Sequence, residues 1–398
     1  MPSGGIEPPS TVPKTATLSV KLRGRVVHLI LNLAIIIPQM LTIDEQIEQI
    51  EEVLRKTPHH KATNGFIGAM RAKIARLRDK ELEQSGKRGG GGGGGYQVKK
   101  QGDATVVIVG PPSAGKSTLI NNLTNAESKV APYAFTTVTV IPGMLKYNEA
   151  YIQILDIPGL ISGAKEGKGR GREVLSVARG ADLLLVMTDV KRIDAFAGMV
   201  KELLGAGIRI NEEPPKVIIE KKISGGLDVF SNIKQDIEKE TIKEIAREYG
   251  IKNGTITLQE NISMDRLFDA FSENRVYVPT IWVINKVDEE PNYKDEIDGE
   301  YIAISADKGT GIEDLIKEVW KELKFVTVFL VKPDEEINQG SPIVMKDGET
   351  LKDVALKIGP DFAAGKKIVK IWGSSAKFPG QEVSFDTKVA EGMQVRFL

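Results

Sequence analysis

One stretch of this chain strongly limits the folds that it can adopt: residues 110–117 (GPPSAGKS), which have the spacing G-x-x-x-x-G-K-S. The stretch directly follows an apolar run at residues 104–109 and precedes a segment typical of a helix. A glycine-containing turn between a strand and a helix can wrap backbone N–H groups around an anion, while the helix N-terminus and a lysine add positive charge. The stretch therefore predicts a phosphate-binding loop, and the alternative at this point is a turn that binds nothing.

The loop and the first turn of the following helix supply the residues that we expect around the phosphates. These are Gly110, Ser113, Ala114, Gly115, Lys116, Ser117 and Thr118. Lys116 would act as a point charge on the phosphates, and the hydroxyl of Ser117 would bind Mg²⁺.

A second motif, residues 156–159 (DIPG), ends the apolar run 151–155. Asp156 at that position can reach Mg²⁺ through a water, and the N–H of Gly159 can meet a γ-phosphate. We also place Ile157 of this motif among the nucleotide-binding residues. The motif predicts the part of the same site that binds Mg²⁺ and the γ-phosphate.

A third motif, residues 285–288 (NKVD), ends the predicted strand 280–284 and is informative about the base. The carboxylate of Asp288 can accept both N–H groups on the edge of guanine, whereas adenine offers no such pair. The residues expected around the base are Asn285, Lys286, Asp288, Ser305 and Ala306. This motif predicts GTP or GDP as the ligand and has no role in a metabolic kinase.

All of these motifs follow predicted strands, and apolar strands alternate with helical stretches through this part of the chain. Ligands bind at the carboxyl ends of the strands in such sheets. We therefore predict an α/β fold: a P-loop GTPase with a doubly wound, mainly parallel sheet.

The composition is that of an ordinary globular protein, with 54 basic and 54 acidic residues and no net charge. The balance gives no whole-protein electrostatic reason to bind nucleic acid, so such binding would need a local patch. There is no cysteine, which excludes disulfides and fits a cytoplasmic location. An apolar run at residues 26–37 is about 12 residues long, short of the roughly 20 needed to span a bilayer, so we expect no membrane association.

The N-terminal part divides into three predicted segments. Residues 1–39 are expected to be a non-native or disordered extension, and the alternative for their apolar run is a signal-like segment. Residues 40–88 predict a helical hairpin, whose second helix has an apolar stripe (Phe66, Met70, Ile74 and Leu77) and a basic face (Arg71, Lys73, Arg76, Arg78 and Lys80). That face is either a solvated surface or a contact for RNA or an acidic partner. Residues 89–100 contain a glycine run and predict a flexible linker.

The remainder predicts a GTPase domain at residues 101–323, interrupted by a small α/β insertion at residues 213–259. Residues 324–398 show strands around one helix and predict a compact mixed domain.

The chain resembles the Obg-related GTPases, and in particular their developmentally regulated GTP-binding branch. The similarity is carried by residues 102–107 (GDATVV), 133–138 (YAFTTV) and 156–169 (DIPGLISGAKEGKG). It covers residues 40–398 and implies that the insertion is ribosomal-protein-like and that residues 324–398 form a TGS domain, a ubiquitin-like β-grasp fold.

The resemblance also implies functions for residues in the two switch segments. Thr137 matches the switch threonine that binds Mg²⁺ and senses the γ-phosphate, and Phe135 and Thr136 lie beside it in the nucleotide site. The implied catalytic residues are Lys116, Thr137 and Gly159, and the implied metal ligands are Ser117, Thr137 and Asp156.

Two positions qualify the expected mechanism. Leu160 follows Gly159 where Ras-like enzymes carry the glutamine that orients the attacking water, so intrinsic hydrolysis should be slow. Ser113 stands where many Obg-related enzymes have an asparagine associated with potassium binding, which leaves K⁺ as a second cofactor open.

Two functional hypotheses follow. The first is a regulatory GTPase of the ribosome and translation, with RNA or ribosome contacts through the hairpin and the TGS domain and a dedicated regulatory protein as partner. The second is a nucleotide-dependent docking module in which hydrolysis is incidental.

Overall fold

The computed structural model of the chain describes residues 42–58, 63–87, 102–124, 131–132, 139–157, 170–290, 299–331 and 341–398. The expected extension at residues 1–39 and the expected linker at residues 89–100 lie outside these ranges. Residues 133–138 and 158–169, which carry the expected switch segments, lie outside them as well.

The described helices are α1 (Ile43–Lys56), α2 (Asn64–Lys87), α3 (Lys116–Thr124), α4 (Arg170–Arg179), α5 (Ala195–Gly205), α6 (Lys239–Glu248), α7 (Met264–Phe271), α8 (Ile312–Glu322), α9 (Leu351–Ile358) and α10 (Pro360–Gly365). The described strands are β1 (Ala104–Val109), β2 (Ala131–Pro132), β3 (Thr139–Tyr147), β4 (Ala150–Asp156), β5 (Leu183–Asp189), β6 (Ile208–Ile210), β7 (Val217–Lys221), β8 (Leu227–Ser231), β9 (Gly254–Leu258), β10 (Val276–Val278), β11 (Thr280–Asn285), β12 (Ile302–Ala303), β13 (Phe325–Leu330), β14 (Ser341–Lys346), β15 (Val369–Trp372), β16 (Gln381–Val383) and β17 (Met393–Phe397).

The main sheet has seven strands in the order β12-β11-β5-β1-β4-β3-β2. The five strands from β12 to β4 are parallel, and β3 and β2 add antiparallel pairing at one edge. Every residue of β1 and β5 is buried, because alternate side chains enter two apolar clusters on opposite faces of the sheet. The α/β fold with a mainly parallel sheet is thereby confirmed.

The antiparallel strand β3 was not predicted from the sequence. It pairs with β4 through a two-residue turn at Asn148 and Glu149, whose φ angles are +47° and +64°. Two positive φ angles are typical of the tight hairpin turn that matches sheet twist, but such turns usually contain glycine. The turn therefore carries a weak sequence signal.

Pro279 separates β10 from β11, the strand predicted at residues 280–284. β10 pairs with β6 in a separate two-stranded sheet, whereas β11 joins the main sheet beside β5. Proline has no N–H for ladder pairing, although the Pro279 carbonyl still accepts a hydrogen bond of 2.9 Å from Leu184 N.

The chain forms two compact units, and one of them joins the N-terminal helices to residues 217–271. Its three-stranded sheet has the order β7-β9-β8. Ala72 of α2, Ile245 of α6 and Phe268 of α7 lie in one buried apolar cluster. The unit extends to Phe271 because α7 is part of its core.

The buried face of α2 differs from the predicted stripe. Ile74 is buried as expected, but Phe66 is 44% exposed, and Ile67 and Ala72 are buried instead. Gly68 lies close to α6, where a Cβ atom would stand 3.1 Å from the Thr241 side chain. Because α2 and α6 approach closely at Gly68, the face of α2 that contacts α6 lies beside the predicted apolar stripe.

The second unit contains the main sheet and the C-terminal residues. The C-terminal sheet has the order β14-β13-β17-β15-β16, with β13 parallel to β17 and antiparallel pairs elsewhere. Leu351, Val354 and Ala355 of α9 are buried in the core of this sheet. Phe362 and Ala363 of α10 pack against the same core, so the C-terminal residues form a further β domain with two helices on a mixed sheet. Within this unit, Lys346 pairs with Asp182 at 2.9 Å.

No helix in the ranges that the structure covers is long and apolar enough to cross a membrane.

Candidate functional site

The predicted phosphate loop leaves β1 at Gly110 and enters α3 at Lys116. Glycine is required at both glycine positions of this spacing for physical reasons. A Cβ at Gly110 would collide with the backbone carbonyl of Met187 in β5, and Gly115 has a φ of +91°. Ser113 also has a positive φ, +61°, which is costly for a residue with a side chain.

Carbonyl groups of this loop are held by cationic and amide side chains. Lys116 Nζ donates to the oxygens of Gly110 and Pro111 at 3.1 and 3.0 Å. Asn285 Nδ2 donates to the Ala114 oxygen at 2.8 Å. The Gly110 and Pro111 carbonyls precede prolines and have no N–H in their peptides, but the C=O of Ala114 and the N–H of Gly115 point in opposite directions across one planar trans peptide, so the bound Ala114 carbonyl directs the Gly115 N–H to the other side. The loop is thus arranged as an anion cradle.

Asp156 lies at the end of β4 beside the start of α3. Its Oδ2 accepts a hydrogen bond of 3.0 Å from Ser117 Oγ, and its Oδ1 lies 3.9 Å from Lys116 Nζ. Burial raises the pKa of Asp156 despite the opposing effects of Lys116 and Ser117. Burial likewise lowers the pKa of Lys116, with Asp156 opposing. Both charges are therefore incompletely compensated by the protein alone.

The same carboxylate leaves room for a cation. Asp156 Oδ1 is buried and accepts no hydrogen bond from the residues that the structure describes, and a hydroxyl next to a carboxylate is a donor set that suits Mg²⁺. The described part of the chain has no group of three or more His, Cys, Asp or Glu residues able to hold a metal ion. A Mg²⁺ ion here would need further ligands from phosphate oxygens and water, as is usual for this metal.

The base-side loops are joined by Asn285, which is 2% exposed. Its Nδ2 bonds the phosphate loop, and its Oδ1 accepts from Ala306 N at 2.9 Å. Asp288 Oδ2 pairs with Lys308 at 3.0 Å. Hydrogen bonds from Ser305 and Lys308 lower the pKa of Asp288, so its carboxylate stays ionised and able to accept.

The described residues of the predicted site therefore meet at one edge of the main sheet. Ile157 is buried, and its N–H donates to Ile108 O at 3.4 Å, so its observed contact is structural. Ser117 and Thr118 are exposed at the start of α3. Phe135, Thr136, Thr137 and Gly159 lie outside the described residues.

Two residues of this edge were missed from the sequence, namely Asp189 and Arg192. Asp189 is buried at the end of β5, and Arg192 Nε bonds its Oδ2 at 3.0 Å. Arg192 Nη1 donates to the Pro112 oxygen of the phosphate loop at 2.8 Å. Burial opposes ionisation of Asp189, but the hydrogen bonds from Arg192 outweigh it and lower the pKa of Asp189. The only available signal was their place directly after a predicted strand.

A cleft of about 1250 Å³ lies at the other ends of the strands, lined in part by Asp182, Glu212, Glu213, Thr280 and Glu300. Thr280 begins β11, whereas Asn285 ends it. Six acidic residues and three lysines line the cleft, and it lies at the end of β11 opposite to Asn285 and so apart from the predicted nucleotide site.

Comparisons with known proteins agree with this geometry. Residues 105–222 match the family described as "50S ribosome-binding GTPase", and residues 224–325 match the "C-terminal region of MMR_HSR1 domain". A solved GTP-binding protein from Pyrococcus horikoshii OT3 has 16% identity and a TM-score of 0.36, covering 74% of this chain and 99% of that one. The score is too low to bear on the fold.

Similar proteins extend over most of the chain. An uncharacterized GTP-binding protein of Methanocaldococcus jannaschii is 44% identical, over 90% of this chain and 93% of that protein. Developmentally-regulated GTP-binding protein 1 of Xenopus laevis is 38% identical, and developmentally-regulated G-protein 3 of Arabidopsis thaliana is 39% identical; each match covers 86% of this chain and 95% of the relative. The chain therefore belongs to the family of developmentally regulated GTP-binding proteins.

Proposed function

We propose that this chain hydrolyses GTP to GDP and phosphate with Mg²⁺, slowly on its own, as a regulatory switch associated with ribosomes and translation. The observation that carries the proposal is the buried carboxylate of Asp156. One of its oxygens accepts from Ser117, and the other, 3.9 Å from Lys116 Nζ, accepts no hydrogen bond from any residue that the structure describes. A buried carboxylate oxygen with no hydrogen-bond donor next to a phosphate site is best explained by a divalent cation that arrives with the nucleotide.

The chain's own residues would act by position and charge. Lys116 and the N–H groups of the loop would bind the β- and γ-phosphates and stabilise charge that develops there. Ser117, Asp156 and Thr137 would hold Mg²⁺, and Gly159 would meet the γ-phosphate. When bound, Mg²⁺ supplies neutralising charge at the phosphate oxygens. Asn285, Lys286, Asp288, Ser305 and Ala306 would select guanine.

Ser117→Ala is expected to weaken Mg²⁺-dependent binding of both GDP and GTP by at least about 10–100-fold, since a metal-site partner is lost. Thr137→Ala should weaken mainly the GTP state, because a switch residue is placed by the γ-phosphate. The measurement is calorimetric titration with each nucleotide, in Mg²⁺ and in EDTA. Ser117→Thr keeps the hydroxyl and is the matched control. If Ser117→Ala weakened nucleotide binding equally in Mg²⁺ and in EDTA, the hydroxyl of Ser117 would not act through the metal ion.

Turnover is expected to be slow because Leu160 cannot orient water as a glutamine would. A partner or cation that supplies one further donor should raise the rate by about 100-fold. The measurement is phosphate release in matched K⁺ and Na⁺ buffers, each with and without ribosomes. We expect the larger stimulation from ribosomes, since Ser113 replaces the asparagine associated with potassium. Fast turnover in Na⁺ buffer without a partner would contradict the mechanism.

The same experiment separates the two functional hypotheses. A regulatory GTPase should show single-turnover hydrolysis that ribosomes accelerate. A docking module should bind ribosomes differently with GTP and GDP while hydrolysis stays unaccelerated. A cytoplasmic location and a dedicated regulatory partner protein remain predictions under either hypothesis.

One face of the C-terminal sheet favours RNA as a docking partner of the proposed TGS domain. Phe329, Gln394 and Trp372 stand in one cross-strand row, and the guanidinium of Arg396 lies 5.4 Å from the Trp372 ring centroid. Phe378, near this row in sequence, is 60% exposed. Aromatic and arginine side chains together suit stacking of unpaired bases.

The hairpin offers a weaker case for RNA. Arg76 Nη1 donates to the carbonyl oxygen of Glu248, and Arg78 lies 3.7 Å from Glu51. Part of the basic face of α2 is therefore used within its own compact unit. Contact with RNA through α2 stays a proposal that rests on the exposed basic residues Arg71, Lys73 and Lys80.

A further inference from the structure

Arg192 connects two parts of the nucleotide site that lie far apart in the sequence. Its Nε and Nη2 both donate to Oδ2 of the buried Asp189, and its Nη1 donates to Pro112 O at 2.8 Å. Thr188 Oγ1 bonds the Arg192 carbonyl at 2.9 Å. The guanidinium is therefore fixed at one end by β5 and holds the tip of the phosphate loop at the other.

This part of the loop needs external support. Pro111 and Pro112 have no N–H group, so the donors at the tip of the cradle begin with Ser113. Ser113 itself is held at a φ of +61°, a conformation that costs a non-glycine residue free energy and persists only when its surroundings enforce it. Rotation of the Pro112–Ser113 peptide would relieve that cost and turn the N–H of Ser113 away from the cradle.

The hydrogen bond from Arg192 opposes this rotation. It fixes the Pro112 carbonyl on the outer side, and the trans peptide then directs the Ser113 N–H to the inner side. A charged donor on a carbonyl also polarises the N–H of the same peptide, which strengthens it as a donor. Ser113 is the first residue after the two prolines whose N–H can donate to a phosphate group.

We propose that Arg192 is a positioning residue for the nucleotide: anchored by Asp189, it orients and polarises the Pro112–Ser113 peptide so that the Ser113 N–H binds the β-phosphate group of GDP and GTP. This inference rests on the proposed nucleotide site and adds a residue to it. Arg192 acts through the peptide and does not itself touch the nucleotide.

The neighbouring Lys191 provides a matched control. It carries the same charge one position away, but its Nζ pairs with Glu289 at 2.6 Å, whereas the Nη1 of Arg192 donates to Pro112 O. A general effect of positive charge near the phosphates would appear in both alanine variants. An effect through the Pro112 carbonyl would appear only at Arg192.

The test compares the affinities of the purified full chain for GMP, GDP and GTP by competition against a fluorescent guanine nucleotide. Arg192→Ala is expected to weaken GDP and GTP about tenfold, the loss of one charge-assisted hydrogen bond, and to leave GMP within about twofold. Lys191→Ala should leave all three unchanged. Arg192→Lys can still donate to the Pro112 carbonyl but lacks the paired N–H groups that bind Asp189. It should therefore bind GDP and GTP more tightly than Arg192→Ala and less tightly than the parent.

The possible contrary results are distinct. Unchanged GDP affinity in Arg192→Ala, an equal loss for GMP, or an equal loss in Lys191→Ala would each overturn the proposal. If Arg192→Ala does not fold, as judged by its melting curve, Arg192→Lys and Arg192→Gln decide the matter, because Arg192→Lys should bind GDP more tightly than Arg192→Gln; equal affinities of the two variants would overturn the proposal. Failure of the parent chain to bind GDP at all would instead overturn the proposed function.

Discussion

Asp288→Asn is expected to lower the affinity for GTP by about 30- to 150-fold, which corresponds to about 2–3 kcal/mol for the loss of a charge-assisted pair of hydrogen bonds. The carboxylate of Asp288 would accept two N–H groups from guanine. Asparagine keeps one acceptor and places N–H donors against the guanine amino group. The variant should in turn gain affinity for xanthosine triphosphate, whose base presents a carbonyl at that position.

The structure prepares Asp288 for this role before any nucleotide binds. Lys308 lies 3.0 Å from its Oδ2, and hydrogen bonds from Ser305 and Lys308 lower the pKa of Asp288. The carboxylate is therefore ionised at neutral pH, and a protonated, donor-bearing form does not compete with base recognition.

Titration calorimetry with GTP, ATP and xanthosine triphosphate measures the effect. Glu289→Gln is the control, because Glu289 is the next carboxylate in the chain and pairs with Lys191 instead of Lys308. Unchanged GTP affinity in Asp288→Asn would show that another residue reads the base.

The sequence predicted those parts of the site that have a fixed spacing and follow a buried strand. Gly110, Asp156 and Asn285 are such residues, and the parallel sheet brings all three to one edge because β1, β4 and β11 end there. Motif order and strand alternation were sufficient for this, since each motif carries its own backbone requirement.

Arg192 could not be predicted in the same way. Its contact with Pro112 joins residues 80 positions apart, and a single arginine after a strand has no periodicity or spacing that distinguishes it from a solvated side chain. The strand β3 was missed because its turn at Asn148 and Glu149 lacks glycine. In both cases the determining interactions are specific three-dimensional contacts and not local propensity.

The sequence predicted only part of the role of Asn285. The motif identified Asn285 as a base-side residue, but the structure uses its buried amide as a two-way bridge between the Ala114 carbonyl and the Ala306 N–H. Removing the amide would leave both of these buried backbone groups without their partner. Each unsatisfied group costs about 1–3 kcal/mol.

Asn285→Ala is therefore expected to lower the free energy of unfolding by roughly 2–4 kcal/mol and to weaken guanine and xanthine nucleotides alike, because the phosphate loop and the base loop lose their connection. Asn211→Ala is the matched control: its side chain bridges the N–H and carbonyl of Thr280 at 2.6 and 2.9 Å, at the opposite end of the same strand. That variant should lose stability while keeping its affinity for GTP.

Denaturant unfolding and nucleotide titration of the two variants, each at a temperature where it is fully folded, distinguish the possible roles. Equal loss of GTP affinity in both variants would mean that the binding defect is only a consequence of lower stability. Loss in Asn285→Ala alone, with xanthosine triphosphate weakened as much as GTP, would show that Asn285 serves the geometry of the whole site and leaves discrimination of the base to Asp288.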